Sequence, residues 1–128
     1  MTQVESAQKG IVTEEMELCS KKEGVSIEKI LKSLVSGTAV IPKNKKHLTL
    51  TAPSIIGKNY LVKVNSNIGT SRGYVSLKDE IRKLKVSIEA GADAVMDLST
   101  WGDLGKIRRE VLKFSSVPIG SVPVYSAA

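Results

Sequence analysis

From residue 59 onward the sequence repeats one rhythm, and it limits the fold more than any other feature of the chain. YLVKV has the composition of a strand. Ser76 then stands at a helix start, followed by an apolar stripe of Leu77, Ile81, Leu84 and Ile88 that Gly91 stops. ADAVMDL reads as a second strand. Asp103 opens a second helix with the stripe Leu104, Ile107, Val111 and Phe114, and VPIGSVPVY supplies a third strand region. A β-α-β-α-β order implies a parallel sheet with right-handed crossovers. Asn67, Met96 and Tyr125 follow one another at intervals of 29 residues, each at or just past the predicted C-terminal end of a strand. Ligands bind at that end in parallel α/β folds. Equal spacing suggests three successive βα units opening a (β/α)8 barrel, which needs about 250 residues. Only three strands are present and the last has no helix after it, so the chain reads as truncated.

Residues 1–58 have a different character and read as a small N-terminal α+β unit, with residues 59–128 as the start of the barrel. Thr2 and Glu5 fit a capping box. Thr13 precedes EEMELCSKKE, with acids first, lysines last and Gly24 as the stop. Ser26 caps a helix with the stripe Ile27, Ile30, Leu31, Leu34 and Val35, ended by Gly37. TAVIP, HLTLT and SIIG are short β-prone pieces broken by Pro42, Pro53 and Gly57, with KNKK as a hairpin turn or loop.

Composition narrows the function classes. A hydrophobic content of 41% with 25% charged residues is the balance of a soluble globular protein and argues against disorder. No apolar run is long enough for a membrane span, and the N-terminus lacks the apolar core of a signal peptide, so no membrane partner is expected and the expected compartment is the cytoplasm. The net charge of +6 divides evenly: nine basic against six acidic residues up to residue 60, ten against seven after it. The one dense run, Lys43, Lys45 and Lys46, has no aromatic residues interleaved, so nucleic acid is not an expected partner. The single cysteine, Cys19, rules out an internal disulfide and any multi-cysteine metal or cluster site built by this chain alone. Its spacing from Val12 and Met16 suggests a buried structural residue.

The chemistry-bearing residues allow more than one reading. Gly69-Thr70-Ser71-Arg72-Gly73 matches the G-x-S-x-G elbow of α/β-hydrolases. However, the next helix waits until Ser76, and the one histidine, His47, lies upstream, where it reads as a surface residue. Loop flexibility is the simpler account. Asn65 and Asn67 could close the strand by bonding the backbone, or one carboxamide could point into a pocket. Met96 could be core and Tyr125 a core ring with a surface hydroxyl. Asp97, Ser99 and Thr100 could bind a ligand or cap the helix at Asp103.

Taken together, TEEM, VIPKN, KVNSNIGTS, AGADAVMDLST, GDLGKIRRE and VPIGSVPVY resemble the N-terminal part of the phosphomethylpyrimidine synthases, the ThiC family, over nearly the whole chain. The resemblance implies a radical SAM lyase of thiamine biosynthesis that rearranges aminoimidazole ribotide to hydroxymethylpyrimidine phosphate, as a homodimer. It implies S-adenosylmethionine, a 4Fe-4S cluster and zinc, whose ligands lie outside this sequence, so the 128 residues alone are expected to be inactive. It also implies substrate-binding roles for Asn67, Met96 and Tyr125, and neither a catalytic residue nor a metal ligand within this stretch. Trp101 stands where the family usually has glycine, and there it would narrow the site or push the loop aside. Two readings from other classes remain: a stand-alone, non-catalytic domain binding a phosphorylated ligand or a partner, and a small hydrolase using Ser71.

Overall fold

A computed structural model describes residues 1–127. Within it the chain forms two compact units. Residues 1–43 and 53–63 make the first, residues 44–52 and 64–128 the second. Residues 59–63 thus group with the N-terminal part, and residues 44–52 with the parallel sheet.

The first unit carries three helices, α1 (Gln3–Gln8), α2 (Glu14–Glu23) and α3 (Ile27–Val35), and an antiparallel pair, β1 (Ala39–Val40) with β2 (Ile56–Gly57). Side-chain caps start each helix. The Thr2 hydroxyl accepts the Glu5 amide at 3.2 Å while the Glu5 carboxylate accepts the Thr2 amide at 2.6 Å, the reciprocal pairing of a capping box. Thr13 and Ser26 cap α2 and α3 in the same manner, and Gly24 ends α2 in the left-handed region at φ 65°. The core is Ala7, Met16, Cys19, Ile30, Leu34, Ala39, Ile41 and Ile55. Burial pushes the Cys19 thiol up to about 11. Val35, expected in the apolar stripe, is half exposed at the end of α3.

The second unit is a three-stranded parallel sheet in the order β3 (Asn65–Ile68), β4 (Ala94–Asp97), β5 (Ile119–Ser121). Helices α4 (Leu77–Glu89) and α5 (Leu104–Phe114) connect the strands, and VPIGSVPVY, expected as strand with no helix after it, is strand only over β5 and then turns into the short α6 (Val124–Ala127). Ser76 and Asp103 cap α4 and α5 as expected. Leu84, Ile107 and Val111 pack with Ile68, Val95 and Val117 in one core between helices and sheet.

Three expectations fail here for non-local reasons. YLVKV is not the strand: pairing begins at Asn65, and Leu61, Val62 and Val64 are exposed. The first strand is set by its partner, because the Val64 carbonyl accepts the Asp93 amide at 2.8 Å and the Asp93 carboxylate accepts the Val64 amide at 2.8 Å. β-propensity weighs less than such pairing. HLTLT is also not a strand. Residues 47–51 form turns that cover the end of α5, where the final carbonyls have no partner within the helix. The Thr49 hydroxyl donates to the Leu112 and Ser115 carbonyls at 2.8 Å, and the Ala52 amide donates to the Ser116 carbonyl at 2.8 Å. His47, expected at the surface, is buried with Nε2 2.9 Å from the Ser115 carbonyl.

Candidate functional site

The strand ends of the parallel sheet hold the residues of interest. Along β3, Ser66 and Ile68 turn toward the helices, and the Ser66 hydroxyl meets that of Ser87 on α4 at 2.8 Å. Strand alternation therefore sends Asn65 and Asn67 to the opposite, exposed face. Asn67 lies within the strand rather than beyond it. Its side-chain oxygen accepts the Asn65 carboxamide at 3.0 Å, which links two same-face residues.

The register is Asn67 beside Met96 beside Gly120. Cross-strand partners in a parallel sheet point the same way, so these three positions form one row on the exposed face. The spacing of 29 residues holds from Asn67 to Met96. From β4 to β5 the partner of Met96 is Gly120, which shortens the interval to 24 residues. Tyr125 is therefore outside the row, on α6, partly exposed. The equal spacing read from the sequence does not survive in the register.

Behind the row, the loops after β3 and β4 are bonded into one network. The Leu98 amide donates to the Ile68 carbonyl at 2.8 Å, and the Thr100 amide to the Thr70 carbonyl at 3.0 Å. The Asp97 carboxylate, buried, accepts the Ser99 amide at 3.0 Å. The Ser99 hydroxyl accepts the Thr70 amide at 3.1 Å, and the Thr70 hydroxyl donates to the Trp101 carbonyl at 2.6 Å. Asp97 Oδ1 and the Ser99 hydroxyl thus serve the scaffold, and Asp103 itself caps α5. Gly69 makes this approach possible, since a Cβ there would come within 2.7 Å of the Leu98 carbonyl carbon and the Ser99 nitrogen. Glu80, 1% exposed, accepts the Gly69 amide at 2.8 Å and pairs with Lys83 at 2.5 Å. The sequence reading missed Glu80. Its signal is an acid four residues before Leu84, on the buried face of α4.

Trp101 is half exposed, with the Arg72 guanidinium 5.7 Å from its ring centroid, so its side chain stacks on a neighbouring loop. Ser71 is not at an elbow. It closes a tight turn through paired backbone bonds with Tyr74, and residues 69–76 separate β3 from α4. His47 is held against the Ser115 carbonyl, so no serine–histidine pair supports the hydrolase reading.

No three histidine, cysteine or acidic side chains come together to hold a metal ion among the described residues. Cys19 is fully buried in the first unit's core, and its raised thiol pKa is the opposite of what a cluster-ligating thiolate requires. No described helix is long and apolar enough to cross a membrane.

Residues 2–128 match the model of the radical SAM ThiC family. The chain is similar to the phosphomethylpyrimidine synthase of Thermotoga neapolitana, 52% identical over 128 residues, which is all of this chain and 30% of that protein. It is 56% identical over 128 residues to the phosphomethylpyrimidine synthase of Caldanaerobacter subterraneus subsp. tengcongensis, covering all of this chain and 29% of that one. The Thermus thermophilus protein of the same name is 50% identical over 127 residues, covering 99% of this chain and 29% of its own length. The chain spans about 30% of the length of these relatives.

Proposed function

Because this chain belongs to the radical SAM ThiC family, we propose that it is the N-terminal segment of a phosphomethylpyrimidine synthase and supplies part of the binding surface for aminoimidazole ribotide. In this reading β3, β4 and β5 are the first three strands of a (β/α)8 barrel, and the exposed face of the Asn67 row looks into it. The parallel order, the crossover helices and the similarity over the whole chain support that placement. The product is hydroxymethylpyrimidine phosphate, the compartment is the cytoplasm, and the whole protein is a homodimer.

The observation that carries the reading is the Asn67 carboxamide. It is exposed at the ligand end of a parallel sheet, with its oxygen already oriented by Asn65. Asn67 would hydrogen-bond polar groups of the imidazole or ribose, and Met96 would pack against the ring beside it. Tyr125 would reach the ligand from α6 rather than from the strand row. Fixing a substrate in this way lowers the entropic part of a barrier. S-adenosylmethionine, the 4Fe-4S cluster and zinc belong to the family reading. The described residues of this chain do not fit a cluster or metal site.

The test is ligand titration with this segment in a full-length synthase. Asn67→Ala is expected to weaken aminoimidazole ribotide binding several-fold, the effect of a lost hydrogen bond of about 0.5–1.5 kcal/mol. Its melting temperature should be unchanged, because the strand's backbone bonds remain. Asn65→Ala should weaken binding less, by releasing the Asn67 side chain. Unchanged affinity in Asn67→Ala would remove the support for this site.

A further inference from the structure

The register exposes a residue that spacing alone passed over. Gly120 occupies the place in β5 that completes the row of Asn67 and Met96. A Cβ at Gly120 would overlap the Met96 Sδ and lie 3.4 Å from its Cε and 3.7 Å from its Cγ. The Met96 side chain therefore lies across β5 in the space that any larger residue at 120 would fill. Gly120 has no left-handed backbone conformation to explain its identity, in contrast to Gly102 at φ 94° or Gly91 at φ 95°. The steric demand of Met96 is the remaining reason for glycine at this point.

We propose that Gly120 is a positioning residue for the ligand face: by leaving its place in the row empty, it lets Met96 lie flat and fixes where the thioether meets the ligand beside Asn67. The proposal rests on the reading of Met96 as a ligand contact. A methyl at 120 forces Met96 into another rotamer, upward from the sheet and into the space the ligand needs. Methionine can adopt such rotamers because its side chain is long and unbranched. The consequence falls on affinity more than on folding.

The experiment is a double-mutant cycle with this segment in a full-length synthase, read by aminoimidazole ribotide titration and by thermal melting. Gly120→Ala is expected to weaken binding about tenfold, which corresponds to about 1.4 kcal/mol. In a Met96→Ala background the same Gly120→Ala change should have no effect on affinity, because the atom it displaces is gone. As a second readout, the Met96 ε-methyl NMR signal should shift in Gly120→Ala while the Met16 signal, in the first unit's core, stays in place. Equal losses from Gly120→Ala with and without Met96 would overturn the proposal, as would a lower melting temperature with unchanged affinity. If Met96→Ala itself leaves affinity unchanged, it is the ligand role of Met96 that fails; a moved Met96 methyl signal would still report the steric coupling.

Discussion

The strand ends of the sheet are not built alike. After β3 and β4, the loops hold each other through the Asp97, Ser99, Thr70 and Trp101 chain, and Glu80 on α4 anchors Gly69 from behind. After β5 the chain relies on local turns, with the Tyr125 amide bonded to the Val122 carbonyl and the Ser126 amide to the Pro123 carbonyl. The side-chain tie there is an exposed bond from Arg108 to Ser126. Val124 and Tyr125 are exposed. The difference separates preorganisation from proximity. Asn67 and Met96 occupy positions fixed by strand pairing and a buried polar network. Tyr125 sits on one turn of helix whose geometry little in this chain enforces.

Removing the anchor should have the largest effect on this contrast. Glu80→Ala leaves the Gly69 amide without its acceptor and strips Lys83 of its carboxylate partner. It is expected to cost about 2–3 kcal/mol in urea unfolding, the loss typical of a buried bond to a charged group. Glu80→Gln keeps an acceptor for Gly69 and should cost clearly less. A loss below about 0.5 kcal/mol in Glu80→Ala, the range of ordinary surface changes, would mean that the network does not stabilise the two loops.

A single link of that network should matter less. Thr70→Val removes the donor to the Trp101 carbonyl while keeping the side chain's shape, and should cost about 1 kcal/mol. The same denaturation measurement checks it, and a neutral outcome would make the Trp101 end of the chain of bonds dispensable. At the other strand end, Tyr125→Ala should change stability by less than about 0.5 kcal/mol. A loss as large as that of Thr70→Val would mean that the end of β5 is held as firmly as the others, and the contrast would collapse.

How far the fold was legible depended on the range of each signal. Five helix starts, at Thr2, Thr13, Ser26, Ser76 and Asp103, were readable because a cap is settled within three residues of itself. The parallel order followed from the alternation of strand and helix. Strand position did not, because β3 is fixed by Asp93, nearly thirty residues away, while YLVKV merely has strand-like composition. His47 was misread for the same reason, since its partner is the Ser115 carbonyl. In the candidate site, Asn67 and Met96 were legible as a pair because the β3–β4 crossover matches their spacing. The shorter β4–β5 interval hid Gly120 and placed Tyr125 past the strand, on α6.

The contrast between the strand ends is a contrast in how tightly each is held. Amide hydrogen exchange, followed residue by residue, measures this. Gly69, Thr70, Ser99 and Thr100, whose amides donate within the network, should exchange slowly and open together, as members of one cooperative unit. Tyr125 and Ser126 should exchange far faster under the same conditions. Fast exchange at Gly69 and Thr70, or protection at Tyr125 equal to theirs, would contradict the claim that the loops after β3 and β4 are preorganised and the segment after β5 is not.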